Sequence, residues 1–131
     1  MKIHHIGIAV DSLSASIPVF EKLLGRAPDS RETVADQRVR VAVFQLENAR
    51  IELLEPTSPE SPIAEFLSKR GQGIHHLTLA LPDLPGKLAE LEKSGVRLID
   101  REPRRGAGDE QIAFLHPSST SGILIELVEE K

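Results

Sequence analysis

The 131-residue sequence contains no cysteine, tryptophan or tyrosine, one methionine and four phenylalanines. Without cysteine there is no disulfide framework and no thiolate metal site, so any metal centre must be built from nitrogen and oxygen donors. Positive charge is also scarce. Sixteen Lys and Arg against twenty Asp and Glu leave a net charge of −4, which offers no basic field to nucleic acid and directs attention to small-molecule or protein partners. Long apolar runs are missing too. The opening MKIHHIGIAVDS is too short and too broken by histidine for a signal peptide, and nothing approaches the roughly 20 apolar residues of a membrane span. The expectation is a soluble cytoplasmic protein with no nucleic-acid or membrane partner, of a length that suits one domain.

What is present is a repeat. IHHIGIAVDSL (Ile3 to Leu13) and IHHLTLALPDL (Ile74 to Leu84) place His4 over His75 and His5 over His76 at one constant offset, and the same offset aligns Ala9 with Ala80, Leu13 with Leu84 and Arg26 with Arg97. Later in each half a second rhyme appears, RIELLEP around Glu52 and LIELVEE around Glu126, with the offset grown by three residues. A change of that size is a loop-length difference. The chain therefore reads as two copies of one module, the first spanning about 1–56 and the second about 74–131, within a single domain.

Each module runs from an apolar strand to a helix, LSASIPVFEKLLG or LPGKLAELEKSG, and then to further short strands. Gly25 and Gly95 stand where a helix C-terminus favours positive φ. Pro18 is awkward inside the first helix, and a start near Ser16 or a local distortion would accommodate it. Later strands are expected near VRVAVFQL and ARIELLE in the first module, and at VRLIDR, QIAFLH and GILIELV in the second. The segment 57–73, rich in Pro and Ser, reads as a linker with a short helix capped by Ser61 and begun by Pro62.

Strand alternation sorts the histidines. His4 shares a face with Ile6, Ile8 and Val10, and His75 with Leu77, Leu79 and Leu81; these bulky faces should pack under helices. His5 falls with Gly7 and Ala9, and His76 with Thr78 and Ala80, on faces whose small side chains leave room for something else. Glu52 and Glu126 sit among apolar neighbours, where a carboxylate is costly unless paired or bound to a cation. One reading makes them ordinary outward-pointing acids. The other joins His5, Glu52, His76 and Glu126 into an N2O2 set for a divalent ion, with two octahedral positions open. His4, His75 and His116 are read as structural.

At these residues the chain resembles the methylmalonyl-CoA epimerases of the vicinal oxygen chelate superfamily: the paired modules, HHIGIAV, SPIAEFLSKRGQGIHHLTLAL and the closing FLHPSSTSGILIEL all carry the likeness. The resemblance implies an α+β fold in which two tandem βαβββ modules form an open eight-stranded, barrel-like sheet. It implies a divalent ion, cobalt first and manganese, nickel or zinc otherwise, held by His5, Glu52, His76 and Glu126. It implies a coenzyme A thioester as substrate, epimerisation at C2 of methylmalonyl-CoA, and a homodimer. Three departures stand out. Some family members carry Gln where this chain has Glu52, a glutamate sometimes proposed as a second base in the family falls at Val41, and the family's His-Pro-Lys reads His116-Pro117-Ser118. Arg104 and Arg105 could meet coenzyme A phosphates in the lysine's stead, against the plainer reading of a solvated turn.

The chemistry implied is proton abstraction beside a thioester carbonyl, with the developing oxyanion held by the metal as an enediolate and a proton returned from the opposite face. Glu126 is the first candidate for one transfer, and Glu52 or a held water for the other. Rival readings are a glyoxalase I-type lyase acting on a glutathione hemithioacetal, which the lack of Trp and Tyr and the poor match outside the four ligands disfavour, and a non-catalytic binding protein of the same fold.

Overall fold

The computed structural model describes residues 1–131, apart from the side chain of Ala107. The chain packs as two compact units, one of residues 5–75 and one of residues 1–4 with 76–131. In chain order the elements are β1 (Lys2–Ala9), α1 (Leu13–Leu24), β2 (Ser30–Val34), β3 (Val39–Gln45), β4 (Arg50–Pro56), α2 (Pro62–Arg70), β5 (Gly73–Leu81), α3 (Leu84–Lys93), β6 (Arg104–Arg105), β7 (Gln111–Leu115) and β8 (Leu124–Glu129).

In the unit of residues 5–75 the strands lie in the order β2-β3-β4-β1, with β1 parallel to β4 and the other pairs antiparallel. Helix α1 covers one face, where Ile17, Phe20 and Leu24 meet Val10, Ala42, Phe44 and Leu53. Helix α2 covers part of the other, setting Ile63, Phe66 and Leu67 against Ala9, Val39, Val41, Val43 and Leu54. Because both faces are covered, Val41 to Phe44 are buried without interruption, which is the pattern of a two-sided core strand. The segment read from sequence as a linker is thus part of the core. Its cap is as expected: the Ser61 hydroxyl accepts from the Ile63 amide at 3.2 Å, and Pro62 opens the helix.

Helix α1 differs from expectation. It begins at Leu13 with Ser12 as N-cap and runs through Pro18 without interruption. Ser12 Oγ accepts from the Ala15 amide at 3.3 Å, and Glu55 Oε1 accepts from the Leu13 amide at 2.8 Å. These bonds satisfy amides that no helical carbonyl can reach, and together with the buried Leu13 and Ile17 they hold the turn preceding the proline. Gly25 ends the helix in the left-handed region at φ 71°. Strand β2 carried no sequence signal because SRETV is almost wholly exposed and does not alternate.

The second unit repeats the plan with β5-β8-β7-β6, β5 parallel to β8. Leu84 and Leu88 of α3 pack on Leu81, Ala113, Leu115 and Leu127, while Ala80, Ile112, Val128 and Phe114 cluster on the opposite face. The Leu84 amide donates to Glu129 Oε1 at 3.2 Å, as the Leu13 amide does to Glu55. VRLIDR is not the expected strand. The amides of Ile99 and Asp100 both donate to the single carbonyl of Phe114, which defeats a regular ladder, and only Leu98 bridges, to Leu115. The short strand comes later, at Arg104–Arg105.

Candidate functional site: two histidine–glutamate pairs

The register of each parallel strand pair decides where its acid points. In the first unit Gly7 lies opposite Glu52, so Glu52 shares the face of Gly7 and, two residues back, of His5. In the second unit Thr78 lies opposite Glu126, which puts Glu126 on the face of His76. Glu55 and Glu129, three residues further on, turn to the helix side and take up the capping described above. One acid of each RIELLE-like motif is therefore structural and the other faces a histidine.

His5 Nδ1 stands 3.4 Å from Glu52 Oε2, with side chains 11% and 14% exposed. His76 Nε2 stands 3.7 Å from Glu126 Oε1, with side chains 11% and 13% exposed. The reading of Glu52 and Glu126 as outward-pointing acids is excluded by that burial. Both separations exceed a good N–H···O hydrogen bond. Two ligands that each sit about 2.1 Å from one ion lie about 3 to 3.5 Å apart; the His5–Glu52 separation falls within that range and the His76–Glu126 separation of 3.7 Å slightly beyond it, and the donor types in both pairs suit a divalent cation.

Glu126 has a built surrounding. Thr78 Oγ1 donates to its Oε1 at 2.6 Å. Burial raises the Glu126 carboxyl above the usual glutamate range; the Thr78 hydroxyl opposes this, the charge of Glu110 adds to it, and Arg104 opposes it. Phe114 is the strand partner of Glu126 on β7, and the Arg104 guanidinium lies over its ring at 5.1 Å. Asp100 ties this corner together, with Oδ2 accepting the Phe114 amide at 2.8 Å and facing Arg104 Nε at 3.3 Å. Arg104 and Arg105 form a short strand rather than a turn, and both are solvated as expected: Arg104 lies over Phe114, and Arg105 pairs with Asp109.

The remaining histidines have other surroundings. His4 Nε2 lies 3.9 Å from Glu110 Oε2. His75 stacks edge-on against Phe66 of α2 at 5.0 Å between centroids, and burial lowers its pKa below the ordinary 6.5. His116 accepts the Ser118 amide on Nδ1 at 3.0 Å, which caps the turn at Pro117–Ser119. Val41 lies opposite Leu54, within the apolar cluster under α2. Thr78 and Asp100 were missed as participants in the sequence. The signal for Thr78 was available, because it stands where the first module has Gly7.

Residues 4–114 match the model of the glyoxalase/bleomycin resistance protein/dioxygenase superfamily. The chain belongs to this superfamily. It is 44% identical over 130 residues to the uncharacterised protein YqjC of Bacillus subtilis (strain 168), covering 99% of this chain and 93% of the relative. Among solved structures it is similar to methylmalonyl-CoA epimerase from Mycobacterium tuberculosis, with 38% identity, a TM-score of 0.89 and coverage of 99% of this chain and 88% of that one. It is likewise similar to a Streptomyces coelicolor methylmalonyl-CoA epimerase variant in complex with 2-nitronate-propionyl-CoA, with 34% identity, a TM-score of 0.90 and coverage of 99% and 94%. The resemblance to the epimerases drawn from the motifs holds, and so does the fold class, the superfamily's fold of paired βαβββ modules with four strands in each half. Among the described residues no helix is long and apolar enough to cross a membrane.

Proposed function

We propose that the chain is a metal-dependent epimerase that interconverts (R)- and (S)-methylmalonyl-CoA, with His5, Glu52, His76 and Glu126 as ligands of one divalent ion. The observation that carries this reading is the pair of buried His–Glu contacts at 3.4 and 3.7 Å. Imidazole nitrogen and carboxylate oxygen, buried side by side in each pair, are donors of the kind that hold a divalent first-row ion. The named epimerases among its structural neighbours support the substrate class. Cobalt is the first choice of metal, with manganese, nickel and zinc as others that suit nitrogen and oxygen donors.

A divalent ion in this place supplies Lewis acidity, setting positive charge against the oxygen that becomes negative. The protein supplies the rest. Beside the donors themselves stand small residues, Gly7 opposite Glu52 and Thr78 opposite Glu126. Glu126 takes the proton from C2, and Glu52 or a water held by a nearby acid returns one from the opposite face. Val41 contributes packing only. A cytoplasmic location and a homodimer complete the reading, the latter checked by light scattering.

The test starts from protein purified without chelator. Elemental analysis should find close to one divalent ion per chain. Incubation with methylmalonyl-CoA in deuterated water should place deuterium at C2 as the epimers interconvert. Propionyl-CoA, which lacks the second carboxylate, should exchange far more slowly, and methylglyoxal with glutathione should give no lactoylglutathione. Comparable exchange into propionyl-CoA would remove chelation from the mechanism, and lactoylglutathione formation would favour the lyase.

A further inference from the structure

The sequence repeat invites treatment of Glu52 and Glu126 as interchangeable, yet the residue opposite each in the parallel ladder differs in kind. Opposite Glu52 is Gly7, which has no side chain to offer. Opposite Glu126 is Thr78, 1% exposed, whose hydroxyl donates to Glu126 Oε1 at 2.6 Å. That length is in the range of an O–H···O bond to a charged acceptor, among the stronger hydrogen bonds in proteins. Threonine is branched at Cβ and stiff in χ1, so the direction of its hydroxyl is fixed by the packing of β5.

The same oxygen, Oε1, also faces His76 Nε2. A carboxylate that serves both as ligand and as base must keep the two tasks on separate oxygens, because an oxygen bound to a cation is a poor base. Rotation of the carboxylate by half a turn would exchange them. Resting on the function proposed above, we infer that Thr78 is a positioning residue that blocks this exchange, committing Oε1 of Glu126 to the ligand side and Oε2 to proton transfer at C2. In that transfer the C2–H bond breaks, its proton passes to Oε2, and its electron pair is delocalised onto the thioester oxygen. Position 7 gives Glu52 no such hydroxyl. The asymmetry makes Glu126 the proton-moving acid of the two.

Thr78→Val removes the hydroxyl while keeping the shape, Thr78→Ala removes it with less bulk should the valine variant fold poorly, and Thr78→Ser restores it. Against methylmalonyl-CoA, the valine and alanine variants should lose about 10- to 100-fold in kcat, the effect of one hydrogen bond to a charged group, with KM and metal content unchanged, and the serine variant should recover most of the loss. A second readout needs neither metal nor substrate. In metal-free protein with 13C-labelled glutamate carboxyls, the Glu126 resonance, assigned by its absence in Glu126→Gln, should shift in Thr78→Val and return in Thr78→Ser. The inference fails if Thr78→Val keeps wild-type kcat, if serine is as impaired as valine, if metal is lost in step with activity, or if the resonance does not move. A wild-type enzyme inactive on methylmalonyl-CoA sinks the proposed function instead. An active wild type with an unaffected valine variant sinks the role of Thr78 alone.

Discussion

The two halves of the molecule have the same donor types, one imidazole and one carboxylate, on corresponding strands, yet they surround their glutamates differently. In the first, Glu52 faces His5 across a glycine, and the shared face further along is filled by α2, which brings Ile63, Phe66 and Leu67 onto Val41 and Val43. In the second, Glu126 faces His76 beside a hydroxyl, next to a ring with an arginine over it. Duplication explains why each half supplies one imidazole and one carboxylate. Duplication alone leaves the two carboxylates equivalent, and the halves differ at this point: α2 packs apolar side chains beside the first, where the second has the Thr78 hydroxyl and Arg104 over Phe114.

The largest test of this comparison removes the imidazoles. His5→Ala and His76→Ala should each abolish stoichiometric metal binding and lower turnover by roughly 10³-fold, the scale of losing a principal electrostatic stabiliser. His4→Ala and His75→Ala should keep the metal, since His4 lies beside Glu110 and His75 on Phe66. Equal metal loss in all four, measured by elemental analysis, would dissolve the division of faces.

A sharper test separates the acids. Glutamine keeps an oxygen able to ligate and deletes the proton acceptor, so Glu126→Gln should retain most of its metal while kcat falls about 10²- to 10⁴-fold, the usual contribution of general acid–base catalysis. Glu52→Gln should lose less. Identical losses would mean that the hydroxyl beside Glu126 does not distinguish the halves.

Stability tests the features that the halves share. Glu55→Ala and Glu129→Ala each delete the carboxylate that accepts a first-turn helix amide, at Leu13 and Leu84, and should each cost about 1 kcal/mol in urea unfolding. The cost at Glu55 should be the larger, because it also pairs with Arg40 at 2.9 Å. No loss at either site would leave the caps without an energetic role.

The smallest effect is a pH dependence tied to His75. Burial holds His75 below 6.5 in the folded chain, so on acidification the unfolded chain takes up the proton first. The stability tied to this residue is complete above pH 6.5 and declines as pH falls from there through the folded value. In metal-free protein, His75→Phe should flatten that part of the profile relative to wild type. An unchanged slope in His75→Phe would show that His75 remains accessible to protons in the folded state.

Much of this is legible in the sequence. The offset between IHHIGIAVDSL and IHHLTLALPDL marked the duplication, and alternation at period two placed His5 and His76 on the faces with small residues. Ser61 and Pro62 announced α2, and Gly25 announced the end of α1. The failures share a cause. SRETV is an exposed strand with no apolar face to reveal it, VRLIDR alternates like a strand but its amides converge on one carbonyl, and Pro18 is tolerated because Ser12 and Glu55 supply acceptors for the first turn of α1 from outside the helical ladder.

The sequence by itself determined the repeat, the donor types and the face on which each histidine stands, because those follow from residue identity and from the two-residue period of a strand. Tertiary structure alone decided that α2 folds back onto the first half as core, that Glu55 and Glu129 cap helices while Glu52 and Glu126 face histidines, and that one oxygen of Glu126 receives the Thr78 hydroxyl. These depend on the register between strands distant in the chain and on side-chain directions at ångström precision, and local periodicity specifies a face without specifying the neighbour across it.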